Sequence, residues 1–569
     1  MSGHKIIVGI DYGTTFTGKE AVIDWRNELT YPKEPVTTIR WGFQVEPGMT
    51  TYSWTKLLLD RNTALGEFDD PTLEGASKTG ILQLPCGKSA VGVVGDFLKE
   101  VRTHILKMIE KQITKEVLGI TPIEYWFTVP AIWSNQAKAQ TKTAAQRAGF
   151  AYNIERPNDQ IFMVTEPEAA AIAALNKTAT DGLGASFKPG DGVLVCDCGG
   201  GTVVREPSSL IWGILIWGII SQPTKDITTY LINKVEPLLS FEELCTGIGG
   251  KCGSTAIDRN LYRLMSRRFG KAFDMLPAKK KGPGSEFMRK FEIVKKDFGF
   301  NIEEDKIYEL PLNIRAGKVK SEYFDDEERL VLLSSNDIRQ LFDPVVDQVI
   351  GLVRKQMDDA EDAESGIINK MEKAFFGITI TVPDNPQTAI VKGAALRGLW
   401  GLQVTTKRCR RHYGFKWSIP FRQGIDREKH AYIDEFTRKK MVGGIMKWMI
   451  SKGEKYTENH THTVDYTQVY HSGSSMKIKF VLFSSDSNEA LERVEHTSIK
   501  KVGTISVDIT DIDFNLFEKK LIDGVLSYQA KFSAKVIFGA QDGVLKFETT
   551  SQGKVVGKTI IDFTNTKYY

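Results

Sequence analysis

Two short segments of the chain combine an aspartate with a turn rich in glycine and threonine at the end of an apolar run. The first reads IIVGIDYGTTFTG at residues 6–18, and the second reads VLVCDCGGGTV at residues 193–203. In each segment one residue separates a lone aspartate, Asp11 or Asp197, from the turn. Glycines let main-chain N–H groups approach an anion, and an aspartate can hold hydrated Mg²⁺ through its water ligands. The repeated pattern therefore predicts a duplicated domain with a phosphate-binding turn in each half.

The turn residues expected to contact a polyphosphate all offer a backbone N–H or a hydroxyl without steric bulk. They are Gly13, Thr14, Thr15, Gly199, Gly200, Gly201 and Thr202. A single glycine-rich turn after a strand is more typical of an ordinary hairpin. The two matched copies favour the phosphate-binding interpretation over that alternative.

Further segments extend the pattern and resemble a known superfamily. Three segments are similar to parts of the actin-like ATPases. Connecting segments of that superfamily resemble residues 124–150 (EYWFTVPAIWSNQAKAQTKTAAQRAGF) and 164–175 (VTEPEAAAIAAL). A nucleotide-contacting loop resembles residues 241–259 (FEELCTGIGGKCGSTAIDR). Within that superfamily the chain resembles the 70-kDa heat-shock chaperones, in particular their divergent, fungal-type branch. The resemblance covers roughly residues 1–400. It implies a duplicated, ribonuclease H-like ATPase domain in two lobes.

The resemblance also implies roles for particular residues. Asp11 and Asp197 would hold the water ligands of a metal ion, ATP or ADP would be the nucleotide, and Mg²⁺ would be the metal. Lys56 would neutralise phosphate charge, and Glu166 would orient the attacking water. Phosphoryl transfer to water requires mainly such positioning and charge neutralisation. The remaining residues would contact the phosphates or the adenosine: Gly249, Gly250, Lys251, Glu292, Lys295, Lys296 and Gly393.

Two of these residues also fit a purely structural role. Glu166 precedes the run AAAIAAL, where a carboxylate favours a helix N-terminus and Pro167 suits the first turn. Lys56 stands beside three leucines, a setting typical of a surface lysine whose stem covers apolar area. The sequence leaves both interpretations open.

Composition excludes several classes of protein. The chain has 569 residues, of which 41% are hydrophobic and 26% charged, enough for two or more domains with apolar cores. A net charge of +4 indicates neither nucleic acid nor an anionic membrane as a partner. The first residues resemble no secretory signal, and 6 cysteines are too few for a disulfide scaffold. We therefore expect a cytoplasmic protein. By the family resemblance, its partners would be ATP and unfolded client proteins.

The pattern of apolar residues changes along the chain. Residues 96–118 carry apolar side chains at a spacing of four, which predicts one amphipathic helix, and YWFTVP predicts a strand that ends at Pro130. After about residue 400, period-two runs joined by turns at Asp542-Gly543 and Gln552-Gly553 predict a β-rich region. We expect a first lobe, a second lobe and a β-rich, substrate-binding-like domain at residues 1–180, 181–400 and 401–569.

An apolar segment, VREPSSLIWGILIWGIISQPTK, interrupts the second turn at residues 204–225. Without it, the run DITTYLINKVEP would follow GGGTV directly and Asp226 would lie two places after Thr202, as in the family. Three hypotheses account for the segment: a translated intron, a surface insertion or a membrane anchor. Its apolar core, residues 210–220, is shorter than the ~20 residues that span a bilayer.

The chain also departs from the family pattern because an expected strand and turn are absent from its sequence. Where the family has a strand and a Gly-Gly turn at the floor of the adenosine pocket, the predicted helix ending near Gly366 runs directly into IINKMEKAFFG. Four functions therefore remain open. They are a chaperone-like ATPase, a non-hydrolysing pseudo-ATPase scaffold, a carbohydrate kinase of the same superfamily and a membrane-tethered protein.

Overall fold

The computed structural model describes most of the chain, apart from several gaps. The described residues are 4–13, 16–19, 25–26, 28–30, 39–46, 49–60, 84–151, 153–181, 188–198, 214–217, 225–236, 238–250, 253–298, 306–315, 321–363, 386–401, 404–539 and 545–560. The chain divides into two compact units, Met1–Val404 and Thr405–Tyr569.

The first half of the first unit is an α/β lobe around one mixed sheet. Its strands are β1 (Ile6–Tyr12), β2 (Phe16–Lys19), β3 (Trp25–Arg26), β4 (Glu28–Thr30), β5 (Arg40–Trp41), β6 (Tyr52–Ser53), β7 (Ile123–Val129) and β8 (Gln160–Thr165). The main sheet has the order β3-β2-β1-β7-β8, and a small sheet has the order β5-β4-β6. Strands β1, β7 and β8 run parallel, whereas β2 is antiparallel to β1. Pro130 follows β7 directly, so the strand predicted from YWFTVP is confirmed.

Helices cover this first sheet. They are α1 (Ala90–Glu110), α2 (Lys115–Ile120), α3 (Asn135–Arg147) and α4 (Glu166–Asp181). The single helix predicted over residues 96–118 is wrong, because the helix ends at Glu110 and a new one begins at Lys115. The side chain of Thr114 accepts a hydrogen bond from the N–H of Val117 and so caps the second helix. Val117 is 45% exposed and takes no part in the apolar face that was expected to include it.

A buried ion pair fixes the start of β7. The guanidinium of Arg156 donates to both carboxylate oxygens of Asp159 and to the carbonyls of Leu118 and Thr121. Asp159 in turn accepts the N–H of Ile123, the first residue of β7. Because one arginine satisfies four acceptors, it ties the end of α2 to the strand that follows.

The second half of the first unit contains a related sheet. Its strands are β9 (Gly192–Cys198), β10 (Ile214–Trp217), β11 (Lys225–Lys234), β12 (Ser240–Glu243), β13 (Ile248–Gly250), β14 (Ile307–Pro311), β15 (Phe324–Asp325) and β16 (Leu330–Ser334). The main sheet has the order β10-β9-β11-β12, with β13 also paired to β11, and a second sheet has the order β14-β16-β15. The helices are α5 (Ser254–Phe269), α6 (Lys271–Asp274), α7 (Ala278–Lys281), α8 (Glu286–Asp297), α9 (Ser335–Ala363) and α10 (Pro386–Trp400).

The two sheets repeat one arrangement around their central strands. In the first lobe β1 has antiparallel β2 on one side and parallel β7 on the other. In the second lobe β9 has antiparallel β11 on one side and parallel β10 on the other. This repetition, with helices in both halves, confirms the expected duplicated α/β fold.

The interrupting segment contributes a strand to the second sheet. Strand β10 lies within residues 204–225, and its Trp217 is in register with Asp197 of β9. The run DITTYLINKVEP forms most of β11, as the sequence predicted, and Asp226 is in register with Asp197 on the other side. Apart from β10 and Lys225, which begins β11, the segment lies outside the described residues. The region after Gly366, where the Gly-Gly turn was expected to be absent, also lies outside them.

Helices α4 and α10 cross at very short distance. A Cβ atom added at Gly393 would lie 1.7 Å from the carbonyl oxygen of Ala169. On the other side of α10, a Cβ atom at Gly9 of β1 would lie 2.3 Å from the carbonyl oxygen of Val391. The absence of a side chain at these two glycines lets β1, α10 and α4 pack backbone to backbone.

The second unit is β-rich, as expected. Its strands are β17 (Lys407–Arg408), β18 (His412–Pro420), β19 (Ala431–Ile433), β20 (Lys440–Ile450), β21 (Lys455–Tyr456), β22 (Thr461–His471), β23 (Lys477–Ser485), β24 (Ile499–Asp508), β25 (Glu518–Ile522), β26 (Val525–Ile537), β27 (Lys546–Ser551) and β28 (Lys554–Ile560). They form two main sheets, β19-β20-β18-β23-β24 and β22-β26-β27-β28.

Turn residues join consecutive strands of this unit. Gln552 and Gly553 have φ values of 52° and 73°, which confirms the turn predicted between β27 and β28. The other predicted turn, at Asp542-Gly543, lies outside the described residues. Across the parts of the chain that the structure describes, no helix is both long and apolar enough to cross a bilayer.

Candidate active site

A buried ion pair between two distant segments forms the centre of the candidate site. The Nζ atom of Lys56 lies 2.7 Å from Oε1 of Glu166. The side chains are 2% and 0% exposed, respectively. Lys56 is therefore not the surface lysine that its leucine neighbours allowed. Glu166 does begin α4, so its position at a helix N-terminus is confirmed, but its carboxylate also faces a buried ammonium group.

Local structure fixes the position of Lys56. The residue lies in a fully buried 3₁₀ helix, Thr55–Asp60. The hydroxyl of Thr55 is 3.0 Å from that of Tyr12, which follows Asp11 at the end of β1. The ammonium group is also 5.5 Å from the centre of the Trp133 ring, within range of a cation–π interaction. These contacts hold the lysine beside the end of β1.

Two aspartates lie near the ion pair, one from each lobe. Asp11 accepts a hydrogen bond of 2.6 Å from the hydroxyl of Thr128 on β7. Asp226, on β11, accepts the N–H groups of Ala131 and Ile132 at 2.9 and 3.2 Å. These two hydrogen bonds of Asp226 connect the second sheet to the turn after β7, so Asp226 joins the two lobes directly at the site.

The second sheet places two candidate residues in one transverse row with Asp226. Asp226 of β11 is in register with Asp197 of β9 on one side and with Gly249 of β13 on the other. Gly250 follows Gly249 and pairs with Lys225. The structure thus brings Asp197, Gly249 and Gly250 alongside Asp226, which itself lies near Glu166.

The environment of Glu166 disfavours its charged form. Burial raises the pKa of its carboxyl, Lys56 lowers it, and the negative charges of Asp11 and Asp226 raise it again. The net direction of the pKa shift is upward, because the effect of complete burial exceeds that of Lys56 and the two aspartates add to it. Its second oxygen, Oε2, has no hydrogen-bond partner among the residues that the structure describes.

This arrangement is chemically suited to a bound cation. Among the described residues, the carboxylates of Asp11 and Asp226 add negative charge beside Glu166, and a divalent ion would offset such charge. Within the described residues, no group of three or more His, Cys, Asp or Glu side chains is placed to ligate a metal directly. Binding of Mg²⁺ through its water ligands at Asp11 and Asp197 stays a prediction.

The residues expected around the adenine form a second buried cluster. Nζ of Lys295 lies 2.6 Å from Oδ1 of Asp258 and 2.7 Å from Oε2 of Glu292. Burial raises the pKa of the Asp258 carboxyl to about 6 against the lowering effect of Lys295. Sequence analysis named Glu292 and Lys295 but missed Asp258, which comes from another helix, α5. The side chain of Lys296 lies outside the described part of the chain.

Two of the remaining candidate residues, Gly13 and Gly393, lie within the described part of the chain, and the others do not. Gly13 directly follows β1 and is buried. Gly393 lies against the backbone of α4, so its position is explained by helix packing. The other predicted phosphate-contacting residues lie outside the described residues: Thr14, Thr15, Gly199, Gly200, Gly201, Thr202 and Lys251.

Thr128 and Trp133 are parts of the site that sequence reasoning missed, and the interlobe contact of Asp226 was not anticipated either. A signal was available for Asp226, which occupies the place of the family's hairpin aspartate. Thr128 and Trp133 stand in TVPAIW, a segment already matched to the family, but nothing in their spacing indicates which residues they approach.

Two solved structures of actin-like proteins align with this chain at low TM-scores. A non-polymerising mutant of MamK bound to AMPPNP is 13% identical, with a TM-score of 0.30, and the match covers 69% of this chain and 98% of that one. The archaeal actin homologue Ta0583 is also 13% identical, with a TM-score of 0.32, and the match covers 70% of this chain and all of the other. No family model matches the chain.

Sequence relatives point to a narrower group. Heat shock 70 kDa protein 12A of Homo sapiens is 22% identical over 72% of this chain and 69% of its own length. The Mus musculus protein of that name is 22% identical over 89% and 85%. Heat shock 70 kDa protein 12B of Homo sapiens is 22% identical over 55% and 54%. These relatives are divergent members of the 70-kDa heat-shock family, which confirms the resemblance found in the sequence.

Proposed function

We propose that the cleft between the two lobes binds ATP with Mg²⁺ and that the chain hydrolyses the terminal phosphoanhydride bond. The observation that carries this proposal is the buried Lys56–Glu166 pair, with Asp11 from one lobe and Asp226 from the other beside it. Such a set supplies a cation for phosphate charge and a carboxylate for water. The names of the relatives support a heat-shock type of function for the same site.

The chemistry assigns a task to each side chain. Lys56 neutralises charge on the phosphates, and Glu166 in its ionised form accepts a hydrogen bond from the attacking water. The water oxygen bonds to the terminal phosphorus, the bond to the ADP oxygen breaks, and the water's protons leave with phosphate and solvent. A bound Mg²⁺, held through its waters by Asp11 and Asp197, would offset further negative charge.

The proposal includes a chaperone-type role for the second unit. Its sheets would bind extended segments of unfolded client proteins, in keeping with the heat-shock names of the relatives. A cytoplasmic location belongs to the same proposal. Retention of an unfolded test protein by the full-length chain, and its release on addition of ATP, would support this role.

A second candidate function is nucleotide binding without turnover. The observation that favours it is the burial of Glu166, because a raised pKa keeps the carboxyl protonated and a protonated carboxyl is a poor acceptor for water. In this alternative the chain is a scaffold whose shape depends on bound nucleotide.

One set of measurements separates these functions. Nucleotide affinity is measured by calorimetry and phosphate release by a colorimetric assay, for the full-length protein and for Glu166→Ala, Asp197→Ala and Lys5→Ala. Lys5 is the control, because it pairs with Glu124 at an exposed position on the same lobe. We expect the first two changes to lower phosphate release ~100-fold or more and the control to leave it unchanged.

Each other outcome has a definite meaning. ATP binding without phosphate release from pH 7 to 9 would favour the scaffold. ADP formation that requires an added sugar or acetate would favour a kinase of the same superfamily. Absence of ATP binding by the unaltered protein would overturn the proposal.

A further inference from the structure

We infer that Gln356 is a positioning residue that fixes the phosphate-contacting strand β13 from the opposite side of the sheet. This inference rests on the proposed nucleotide site, because it assigns Gly249 and Gly250 of β13 to phosphate contact. Gln356 lies on α9, and its side chain is completely buried. Neither family resemblance nor spacing singles it out, and its hydrogen bonds within the described residues go to Ile248, Thr229 and Cys245.

The side-chain amide of Gln356 makes three contacts in the second lobe. Oε1 accepts the backbone N–H of Ile248 at 3.0 Å. Nε2 donates to the hydroxyl of Thr229 on β11 at 3.3 Å and to the sulfur of Cys245, in the turn before β13, at 2.9 Å. One amide therefore joins α9, β11 and the segment that leads into β13.

Strand β13 needs such an anchor because of its composition. It has three residues, and two of them are glycines that bring no side chain to pack. Ile248 alone contributes a side chain, which packs against a core cluster that includes Val349 and Leu352 of α9. Helix α9 thus holds Ile248 in two ways, through apolar contact and through the hydrogen bond from its N–H to Gln356.

The anchored end of β13 determines where the glycines lie. Ile248 precedes Gly249 directly, and Gly249 is in register with Asp226. Rotation or slippage of Ile248 would move the Gly249 and Gly250 N–H groups relative to that row of residues. Because phosphate binding by backbone N–H groups requires a fixed approach, loss of the Gln356 acceptor should weaken the binding of phosphate groups in particular.

The test uses four variants of the full-length protein that alter the buried amide or its partners: Gln356→Met, Thr229→Val, Cys245→Ala and Gln356→Glu. Gln356→Met removes all three hydrogen bonds at nearly constant volume. Thr229→Val and Cys245→Ala each remove one Nε2 contact but keep the bond to Ile248, so they report a purely structural loss. Amide hydrogen exchange at residues 248–250 and the dissociation constant of Mg·ATP are measured for each, together with melting temperature.

We expect Gln356→Met to speed exchange at the Ile248 amide and to weaken Mg·ATP binding about tenfold, close to the effect of one lost hydrogen bond to a buried group. Thr229→Val and Cys245→Ala should change the exchange rate and the Mg·ATP affinity by less than about twofold, even where their melting temperatures fall as far as that of Gln356→Met. Gln356→Glu retains an acceptor for Ile248 and should restore most of the affinity. It also provides a second variant if Gln356→Met does not fold.

Two results would overturn the inference. One is equal exchange and equal ATP affinity in Gln356→Met and Thr229→Val at matched stability, which would leave Gln356 with a structural role only. The other is a loss of affinity in Gln356→Glu as large as that in Gln356→Met. If the unaltered protein binds no ATP, the proposed function fails, but hydrogen exchange at residues 248–250 still decides whether Gln356 fixes β13.

Discussion

Replacement of Gly393 by alanine should destabilise the first unit, because α4 and α10 cross backbone to backbone at this position. An added Cβ atom would lie 1.7 Å from the carbonyl oxygen of Ala169, and contacts below 3.0 Å are essentially never found for real Cβ atoms. The two helices must therefore separate locally by at least 3.0 − 1.7 = 1.3 Å. No change of side-chain rotamer can relieve the contact, since the obstacle is main chain.

The size of the effect follows from two opposing contributions. Overpacking of a tight core costs ~1–3 kcal/mol and here should reach the upper end of that range. Alanine is better than glycine in a helix by about 1 kcal/mol, which offsets part of the cost. We expect a net loss of about 2 kcal/mol and a fall of a few degrees in the melting temperature of the first unit.

A matched substitution controls for the glycine-to-alanine change itself. Gly119 lies in helix α2, and a Cβ atom added there meets nothing within 4 Å. Gly119→Ala should therefore stabilise the protein by roughly 0.5–1 kcal/mol. Differential scanning calorimetry of the two full-length variants, without nucleotide, measures both effects.

The calorimetric result also tests the role that the sequence predicted for Gly393. If the residue served nucleotide contact alone, Gly393→Ala would melt like the unaltered protein and lose affinity for ATP. A melting temperature at or above that of the unaltered protein, with Gly119→Ala behaving as expected, would refute the packing argument.

Three further predictions follow from particular residues. Between the ordinary pKa of 4.5 and the raised pKa of about 8, the folded state keeps a proton on Glu166 that the unfolded state has lost. The free energy of unfolding should therefore decrease from pH 5 to 8, relative to that of the Glu166→Gln variant, and urea titrations measure this change. Arg156→Met leaves Asp159 buried without its cation and should cost about 3 kcal/mol in the same assay, whereas the exposed Arg147→Ala should cost little. Gln552→Asn suits the positive φ at that turn and should stabilise the second unit by about 0.5 kcal/mol, measured by its melting temperature.

Local sequence patterns were sufficient to predict many of the strands and some of the helix ends. The apolar run before Asp11 forms β1, YWFTV lies within β7, and α4 begins at Glu166. These predictions are confirmed because strand periodicity, proline placement and helix-start residues act over a few neighbouring residues. The same reasoning was wrong for residues 96–118, where α1 ends at Glu110 and Thr114 caps the start of a new helix.

Longer-range features could not be read from the sequence. Strand β10 pairs with β9 although it lies in a segment interpreted as an interruption, and its pairing depends on backbone groups that any sequence possesses. Gly393 was assigned to the nucleotide, whereas its packing against Ala169 is decided by the crossing of two helices more than two hundred residues apart in the sequence.

The sequence by itself determined which chemical groups the candidate site could contain. Two aspartates after apolar strands, a lysine and a helix-opening glutamate are properties of residue type and short-range spacing. Only the tertiary structure decided that Lys56 meets Glu166, that Asp226 binds the turn of the other lobe, and that Glu166 titrates far from its ordinary range. The physical reason is that a pKa depends on burial and on nearby charges, and segments distant in the chain supply both.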